Sequence, residues 1–383
     1  MTSPLDPRGE RGVALLMVLM IVSLLTAVIV DFSFQTRLDA RLAANMRDEL
    51  EAGILARSGY EMALALLNQD AIEDSGTQAS NTMPSGGTET AVSDLLHQAR
   101  RQASGQGAST AGLDTLQDLW ARTDLLQIPL ETGQNLTVGV TDLSGRINLN
   151  VIIIRDASGA EQLNRPIFEQ LITLVQQAQA SLGLKNDKKK DPLGSLSAEE
   201  IAYAIADWVD ADEVRLSDGG FEDEYYNTLE DPYSSKNGPF DSVAELQLVA
   251  GVDDALYGAI KNAVTVYPFE GGGAINPNTA PPIVLASIRV KENPASEAPD
   301  PLGASQIGTL LDARAKGVAI KSNEDLKELL DLDAGAVFTP ELVYGSSVFG
   351  IDVVASVRDT MSRLHAVIDR GGQEPKVLYW RVD

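Results

Sequence analysis

The chain contains no cysteine. That excludes disulfides, thiolate nucleophiles, iron–sulfur clusters and cysteine-ligated zinc, and it leaves the compartment open, since many exported bacterial proteins need no disulfide. Histidine is almost as scarce: His97 and His365 leave little for a catalytic triad or a histidine-rich metal site. Positive charge is in deficit, with 30 Lys and Arg against 55 Asp and Glu and a formal net charge of −25. Such a balance repels phosphate backbones, so nucleic acid is not expected as a partner. What is present is globular in kind. The 383 residues are 44% hydrophobic and 22% charged, which excludes a wholly disordered or collagen-like chain and predicts two or three folded units at roughly 100–200 residues each.

The amino terminus is the most informative segment. Residues 1–12 are polar and carry Arg8 and Arg11, and from Val13 to Val30 there is no charge, glycine or proline. As a helix this run is ~27 Å long, close to the ~30 Å of a bilayer's hydrocarbon. The two arginines favour a cytoplasmic start and send everything after Asp31 to the other side, although Asp6 and Glu10 are also present. A cleavable secretory signal is the competing reading; the apolar run exceeds the usual length of roughly 7–15 residues, and no convincing A-x-A site follows it. Beyond it, Asp31 to Asn68 holds no proline, and Leu38, Leu42, Met46 and Leu50 recur every four residues, with Ile54 and Leu55 continuing the stripe. One rod from Val13 to about Gln69 is predicted, ~85 Å long, whose second half needs a partner surface. The alternative is two helices broken near Gly53 or Gly59.

Arg11-Gly12 followed by Val13-Ala14-Leu15-Leu16 resembles the class III signal of type IV pilins and their relatives. There a prepilin peptidase cuts after the glycine on the cytoplasmic face, and the apolar helix stays in the mature protein. The resemblance implies processing between Gly12 and Val13. In most of that superfamily the fifth mature residue is glutamate; counting Val13 as first, the fifth here is Met17. This departure is a feature of one branch, the minor pseudopilin K family of the type II secretion system. Met17 cannot accept the amino-terminal charge of a neighbouring subunit as a buried glutamate does.

Further matches follow along the chain. After the helix comes a Ser/Thr/Gly-rich stretch, Asp74–Thr110, read as an exposed loop with a short helix around Val92–Gln102 and a solvated His97. Asn135–Asp142 alternates as a half-buried strand. DLSGRINLN, residues 142–150, resembles the K-family turn and strand before an inserted helical domain; its asparagines are expected to satisfy backbone groups at a turn. From Arg165 to about Leu342 the period is helical, with Ser197 and Glu200 forming a capping box and Lys185–Lys190 a solvated basic loop. Ser242–Tyr267 is similar to a helix–hairpin–helix, but its hairpin AGVDDAL puts two aspartates where a phosphate-binding loop wants small neutral residues. Ser322–Leu332 reads as a second copy. Asn276–Pro281 resembles the family's N-x-N-T-A-P turn, and strand period returns at Ser346–Val357, Ser362–Ile368 and Lys376–Val382.

The densest chemical signal is acidic. Asp207, Asp210, Asp212, Glu213, Asp218, Glu222, Asp223 and Glu224 crowd one stretch around Gly219-Gly220. Carboxylates folded onto one loop repel each other unless protonated or bound to a cation, and hard oxygen ligands suit Ca²⁺. The spacing is not that of an EF-hand, since Val214 stands at the third ligand position. On the residues alone a plain acidic surface and a metal site are both open. DWVDAD…GGFEDEYY is, however, similar to the K-family stretch whose members bind calcium, and the resemblance implies metal ligation at Asp210, Asp212, Asp218, Glu222 and Asp223.

The expected fold is α+β: a pilin-like long N-terminal helix packed on an antiparallel sheet, with a large inserted, mainly helical domain of helix–hairpin–helix or SAM-like units. The expected division is a leader at 1–12, the helix at 13–73, a loop insert and first strands at 74–160, the helical domain at 161–342 and closing strands at 343–383. The resemblance implies a minor pseudopilin without catalytic activity, in the tip complex that initiates the periplasmic pseudopilus and supports export of folded proteins across the outer membrane. It implies minor pseudopilins I and J, other pseudopilins and prepilin peptidase as partners. It also implies a single pass through the bacterial inner membrane, with the bulk in the periplasm. The competing class is a membrane-anchored, calcium-dependent extracytoplasmic hydrolase. Against it, no G-x-S-x-G motif is apparent and the carboxylates cluster in one loop rather than converging from separate elements.

Overall fold

The structure is a computed structural model and describes residues 7–74, 112–122, 127–129, 133–183, 196–269, 271–292, 298–372 and 374–383. The first six residues, His97 with its expected helix, and the lysine loop at 185–190 lie outside the described residues. A single helix, α1, runs from Pro7 to Asp74, five residues beyond the end that periodicity predicted. Its side chains from Val13 to Phe34 are exposed throughout, with a mean hydropathy of 3.0 in the most apolar window, as fits a helix long and apolar enough to cross a membrane. Leu38, Leu42, Met46, Leu50 and Ile54 remain exposed as well. From Ala52 the helix acquires a buried side of small residues, Ala52, Ala56 and Ala63, joined by Tyr60, Leu66 and Leu67. The helix does not break at either glycine. A Cβ on Gly59 would stand 2.6 Å from Val353 Cγ1 and 3.0 Å from Leu136 Cδ1; its missing side chain lets α1 lie close on the sheet.

That sheet has five antiparallel strands in chain order: β1 (Gln127–Pro129), β2 (Gln134–Asp142), β3 (Val348–Val357), β4 (Thr360–Asp369) and β5 (Lys376–Val382). Alternation explains why it holds the helix. Leu136, Val138 and Val140 of β2, Ile351, Val353 and Ala355 of β3, and Leu364, Ala366 and Ile368 of β4 all face α1 in one core, sealed at its side by Trp120. On the opposite face His365 Nδ1 lies 2.7 Å from Asp352 Oδ1, an exposed cross-strand pair.

β2 and β3 pair as a hairpin would, from Gln134↔Val357 to Asp142↔Phe349, yet the chain between them builds a second body. Its helices include Arg165–Ser181, Ala198–Val209, Asp254–Ile260, Ala304–Ala315 and Asn323–Leu329. Leu143, Ile147, Leu149, Val151 and Ile152 pack in the same core as those helices, so this body begins directly after β2 rather than at residue 161. It is not purely helical either. Arg289–Lys291 pairs with both Asp300–Pro301 and Val337–Thr339, and Ile153–Arg155 pairs with Glu161–Leu163. Strands of two or three residues leave no period to read, which is why Arg165–Leu342 looked wholly helical. Ser197 and Glu200 form the expected capping box, with bonds of 3.2 and 2.7 Å. At the hairpin, Asp253 accepts from Leu256 N at 2.7 Å, so its carboxylate already occupies that helix start.

The two bodies meet at one end of the sheet through buried polar groups. Asp142, closing β2, accepts from Ser144 N at 2.7 Å, Ser346 Oγ at 2.6 Å and Thr279 Oγ1 at 2.5 Å. Asn276 Nδ2 donates to Asp114 O at 3.0 Å and to Ser346 Oγ at 2.9 Å. Asn278 pairs twice with the Ile320 backbone, at 2.8 and 2.9 Å. The N-x-N-T-A segment is therefore more than a turn; it joins the insertion to the sheet. Arg370, in the β4–β5 turn, completes the joint. Its Nη1 donates to Asp70 Oδ2 at 2.9 Å and its Nη2 to Asp114 Oδ1 at 2.5 Å, tying the end of α1 to the same point.

Candidate metal centre

The acidic stretch begins on a helix and doubles back. Asp207 lies in the last turn of Ala198–Val209 and Asp210 caps its C-terminus, three residues on and therefore on the same face. After Asp210 the chain makes a narrow hairpin: Val214 bridges Phe221, Arg215 N donates to Gly220 O at 2.8 Å, and Gly219 turns it with φ +74. A side chain at Gly220 would collide with the Arg215 guanidinium, 2.2 Å away. The hairpin returns Glu222 to the helix end. One carboxylate oxygen from each of Asp207, Asp210 and Glu222 then lies within 4.8 Å of the others.

All three are buried, at 6, 2 and 5% exposure. Their burial lowers the local dielectric and magnifies repulsion; in the adjoining core Trp208 meets Tyr226 edge-to-face and stacks on Phe240, and Tyr226 lies tilted against Tyr233. Desolvation, followed by the charges of Glu222 and Asp207, pushes Asp210 up to about 8. Glu222 rises to about 7, again by desolvation and then by Asp207. Asp207 rises to about 6 through desolvation, held back by the Leu216 N–H that its Oδ1 accepts at 2.9 Å. Among the described residues, Asp210 Oδ1 and both Glu222 oxygens have no hydrogen-bond partner. Arg215, whose charge reaches Asp207, is engaged by Asp218 and Glu224 at 3.1 Å each.

The five residues implied as ligands by resemblance divide. Asp210 and Glu222 belong to the trio. The other three each spend an oxygen on nearby backbone: Asp212 accepts from Val214 N at 2.7 Å, Asp218 from Gly220 N at 3.0 Å and Asp223 from Ser235 N at 2.8 Å. The third member is Asp207, which sequence reading counted in the cluster without giving it a role. The i, i+3 spacing of Asp207 and Asp210 on a helix was the available signal. Three buried carboxylates, two of them with orphaned oxygens, and no nitrogen or sulfur donor in the group form a donor set suited to a hard divalent cation of the calcium class.

A second acidic group, Asp70, Asp114 and Asp118, also brings an oxygen from each within 4.8 Å. Here Arg370 bridges two of the three, and Asp118 accepts from Thr115 N at 2.6 Å. This is the joint already described, with its counter-charge supplied by the protein.

An apolar exposed helix whose continuation packs on one face of an antiparallel sheet is a pilin-like arrangement, here with a large insertion in one hairpin, and the one such helix among the described residues fits a single-pass membrane anchor. Residues 145–269 match the family described as Type II secretion system (T2SS), protein K. The Type II secretion system protein K of Pseudomonas aeruginosa is 25% identical over 365 residues, covering 95% of this chain and 90% of that protein. That of Aeromonas hydrophila is 25% identical over 388 residues, covering 98% of each. Both relatives are matched over nearly their whole length, and the chain is similar to the type II secretion system protein K family. Among solved structures, the GspK–GspI–GspJ complex from enterotoxigenic Escherichia coli has a chain 20% identical, with a TM-score of 0.45, covering 77% of this chain and 98% of that one.

Proposed function

We propose that this chain is a minor pseudopilin of the type II secretion system, anchored in the bacterial inner membrane by α1 with its sheet and insertion in the periplasm. Its place is the tip of the pseudopilus, where it starts assembly with the I and J minor pseudopilins and supports export of folded proteins across the outer membrane. One observation carries the tip placement. The insertion leaves the sheet between Asp142 and Phe349, at the end where Arg370 holds Asp70. The opposite end, where Arg358 pairs with Asp48, is the one nearer the apolar run. A body of this size on the distal end obstructs a subunit stacking above it. Met17 points the same way, since a subunit lacking the glutamate is best placed where no neighbour's terminus needs it.

The exposed stripe Leu38, Leu42, Met46, Leu50 and Ile54 supplies the side contact, and helices of the I and J subunits would cover it. Prepilin peptidase would cut between Gly12 and Val13 before assembly. The trio Asp207, Asp210 and Glu222, buried as it is, would hold calcium as a structural ion, closing the hairpin onto its helix, in keeping with a structural rather than an enzymatic role. The test is assembly. Native mass spectrometry of the detergent-extracted protein is expected to give a 1:1:1 complex with I and J, and immunogold labelling to mark one end of pseudopili. Labelling along their length would refute the tip placement.

A further inference from the structure

The carboxyls at the end of α1 stand close enough to compete for one proton. Arg370 gives its two terminal nitrogens to different partners: Nη1 donates to Asp70 Oδ2 at 2.9 Å and Nη2 to Asp114 Oδ1 at 2.5 Å. Those nitrogens sit side by side on a planar guanidinium, so the two carboxyls are set side by side as well. One oxygen of each lies within 4.8 Å of the other and of an oxygen of Asp118. The other oxygen of Asp114 accepts from Ser346 N at 2.6 Å. The charged groups that face this point come from four segments: Asp70 from α1, Asp114 and Asp118 from residues 112–122, Asp142 from the end of β2, and Arg370 from the β4–β5 turn. Asp114 is buried and Asp70 half-buried, and Arg370 carries one positive charge for the two carboxyls it holds.

Away from water that balance favours a neutral carboxyl. Burial, then the charge of Asp118, pushes Asp70 up to about 8, and burial pushes Asp114 up too. The two side chains also bond to each other, a contact that a pair of carboxyls makes only when one carries a proton.

We propose that Asp70 and Asp114 share one proton, which with Arg370 forms a latch between the end of α1 and the joint that carries the insertion, closed while the proton is held and loosened when it leaves. None of the trio Asp207, Asp210 and Glu222 takes part, so the latch does not depend on the cation. The closed state binds this proton, whereas an ordinary exposed aspartate titrates near ~3.9. Closure therefore weakens as pH rises from about 4 through about 8.

Asp70→Asn fixes the protonated form, since its amide can accept from Arg370 and donate to Asp114 at any pH. Hydrogen exchange is followed by mass spectrometry on the detergent-solubilised full-length protein with calcium present throughout, at pH 6 and 8, after correction for intrinsic exchange rates. In the parent, protection of residues 66–74 and of the Ser346 amide is expected to fall about tenfold or more from pH 6 to pH 8. In Asp70→Asn it is expected to stay constant and to exceed the parent's at pH 8. Weaker protection in Asp70→Asn than in the parent at pH 8 would make Asp70 an ionised partner of Arg370 and overturn the latch. Constant protection in the parent across the two pH values would overturn it as well, and that profile decides alone should Asp70→Asn fail to fold.

Discussion

Chelating calcium from the detergent-solubilised protein at pH 7.5 is expected to lower its melting temperature, with the insertion unfolding first. Bringing Asp207, Asp210 and Glu222 together without an ion leaves desolvated carboxylates facing one another, and an ion bound only by the folded state stabilises by mass action. At a hundredfold excess over its Kd that amounts to about 2.7 kcal/mol, or ~5–10 °C for a unit of roughly 200 residues. The pH dependence has a defined sign. The folded-state values near 8, 7 and 6 for Asp210, Glu222 and Asp207 lie above the ordinary values of 3.8, 4.5 and 3.8 for these carboxyls. The metal-free folded state therefore binds more protons than the unfolded chain between about pH 4 and 8, and its stability falls as pH rises through that window. Calcium displaces those protons, so its affinity climbs over the same range. Melts with calcium and with chelator should nearly coincide at pH 5 and separate widely at pH 8. Asp210→Asn should raise the metal-free melting temperature at pH 8 while abolishing the response to calcium. Identical melts with and without calcium at pH 8 would remove the ion from the account.

Replacing Arg370 with alanine is the substitution expected to destabilise most. Its guanidinium reaches Asp70, Asp114, Leu67 O and Ser346 O and lies 4.5 Å over the Phe349 ring. Without it Asp114, 1% exposed, and Asp70 must either hold a buried, unpaired charge or take up a proton. Breaking a buried pair in this way costs about 3–5 kcal/mol. Asp70 stands at about 8 even with Arg370 present, because burial and then Asp118 outweigh the bond. The variant's deficit should therefore shrink as pH falls toward 5.5 and the carboxyls take up protons. Asp114→Asn in the Arg370→Ala background should recover part of the loss, since it removes the stranded charge. Denaturant unfolding of the three proteins at pH 5.5 and 8 measures both effects; an Arg370→Ala protein as stable as the parent at pH 8 would show that the joint does not hold the two bodies together.

How far the residues foretold this molecule depended on the length of the pattern. The long helix, the strands β2 to β5 and the helix capped by Ser197 have periods of several residues, and they stand close to where periodicity put them. Helix propensity is local and marks Gly59 as a possible break, while its role is to admit Val353, more than 290 positions away. The joint was invisible for the same reason: Asp114, Asp142, Asn276, Ser346 and Arg370 come from five separate segments, and no spacing relates them. Within the acidic stretch the crowding of charge was plain. Which carboxylates converge was not, because a hairpin turned at Gly219 decides it, leaving Asp212, Asp218 and Asp223 to nearby backbone and adding Asp207.

The central claim, that this chain enters the membrane and its filament as a pilin-type subunit, is tested most directly at its amino terminus. Intact-mass and N-terminal peptide mass spectrometry of the protein from its native host is expected to find Val13 as the first residue, N-methylated, and Gly12 replaced by a bulky residue is expected to leave the chain unprocessed. Accumulation of the chain in wild-type cells with its terminus at Met1, or cleavage after Val30, would contradict it.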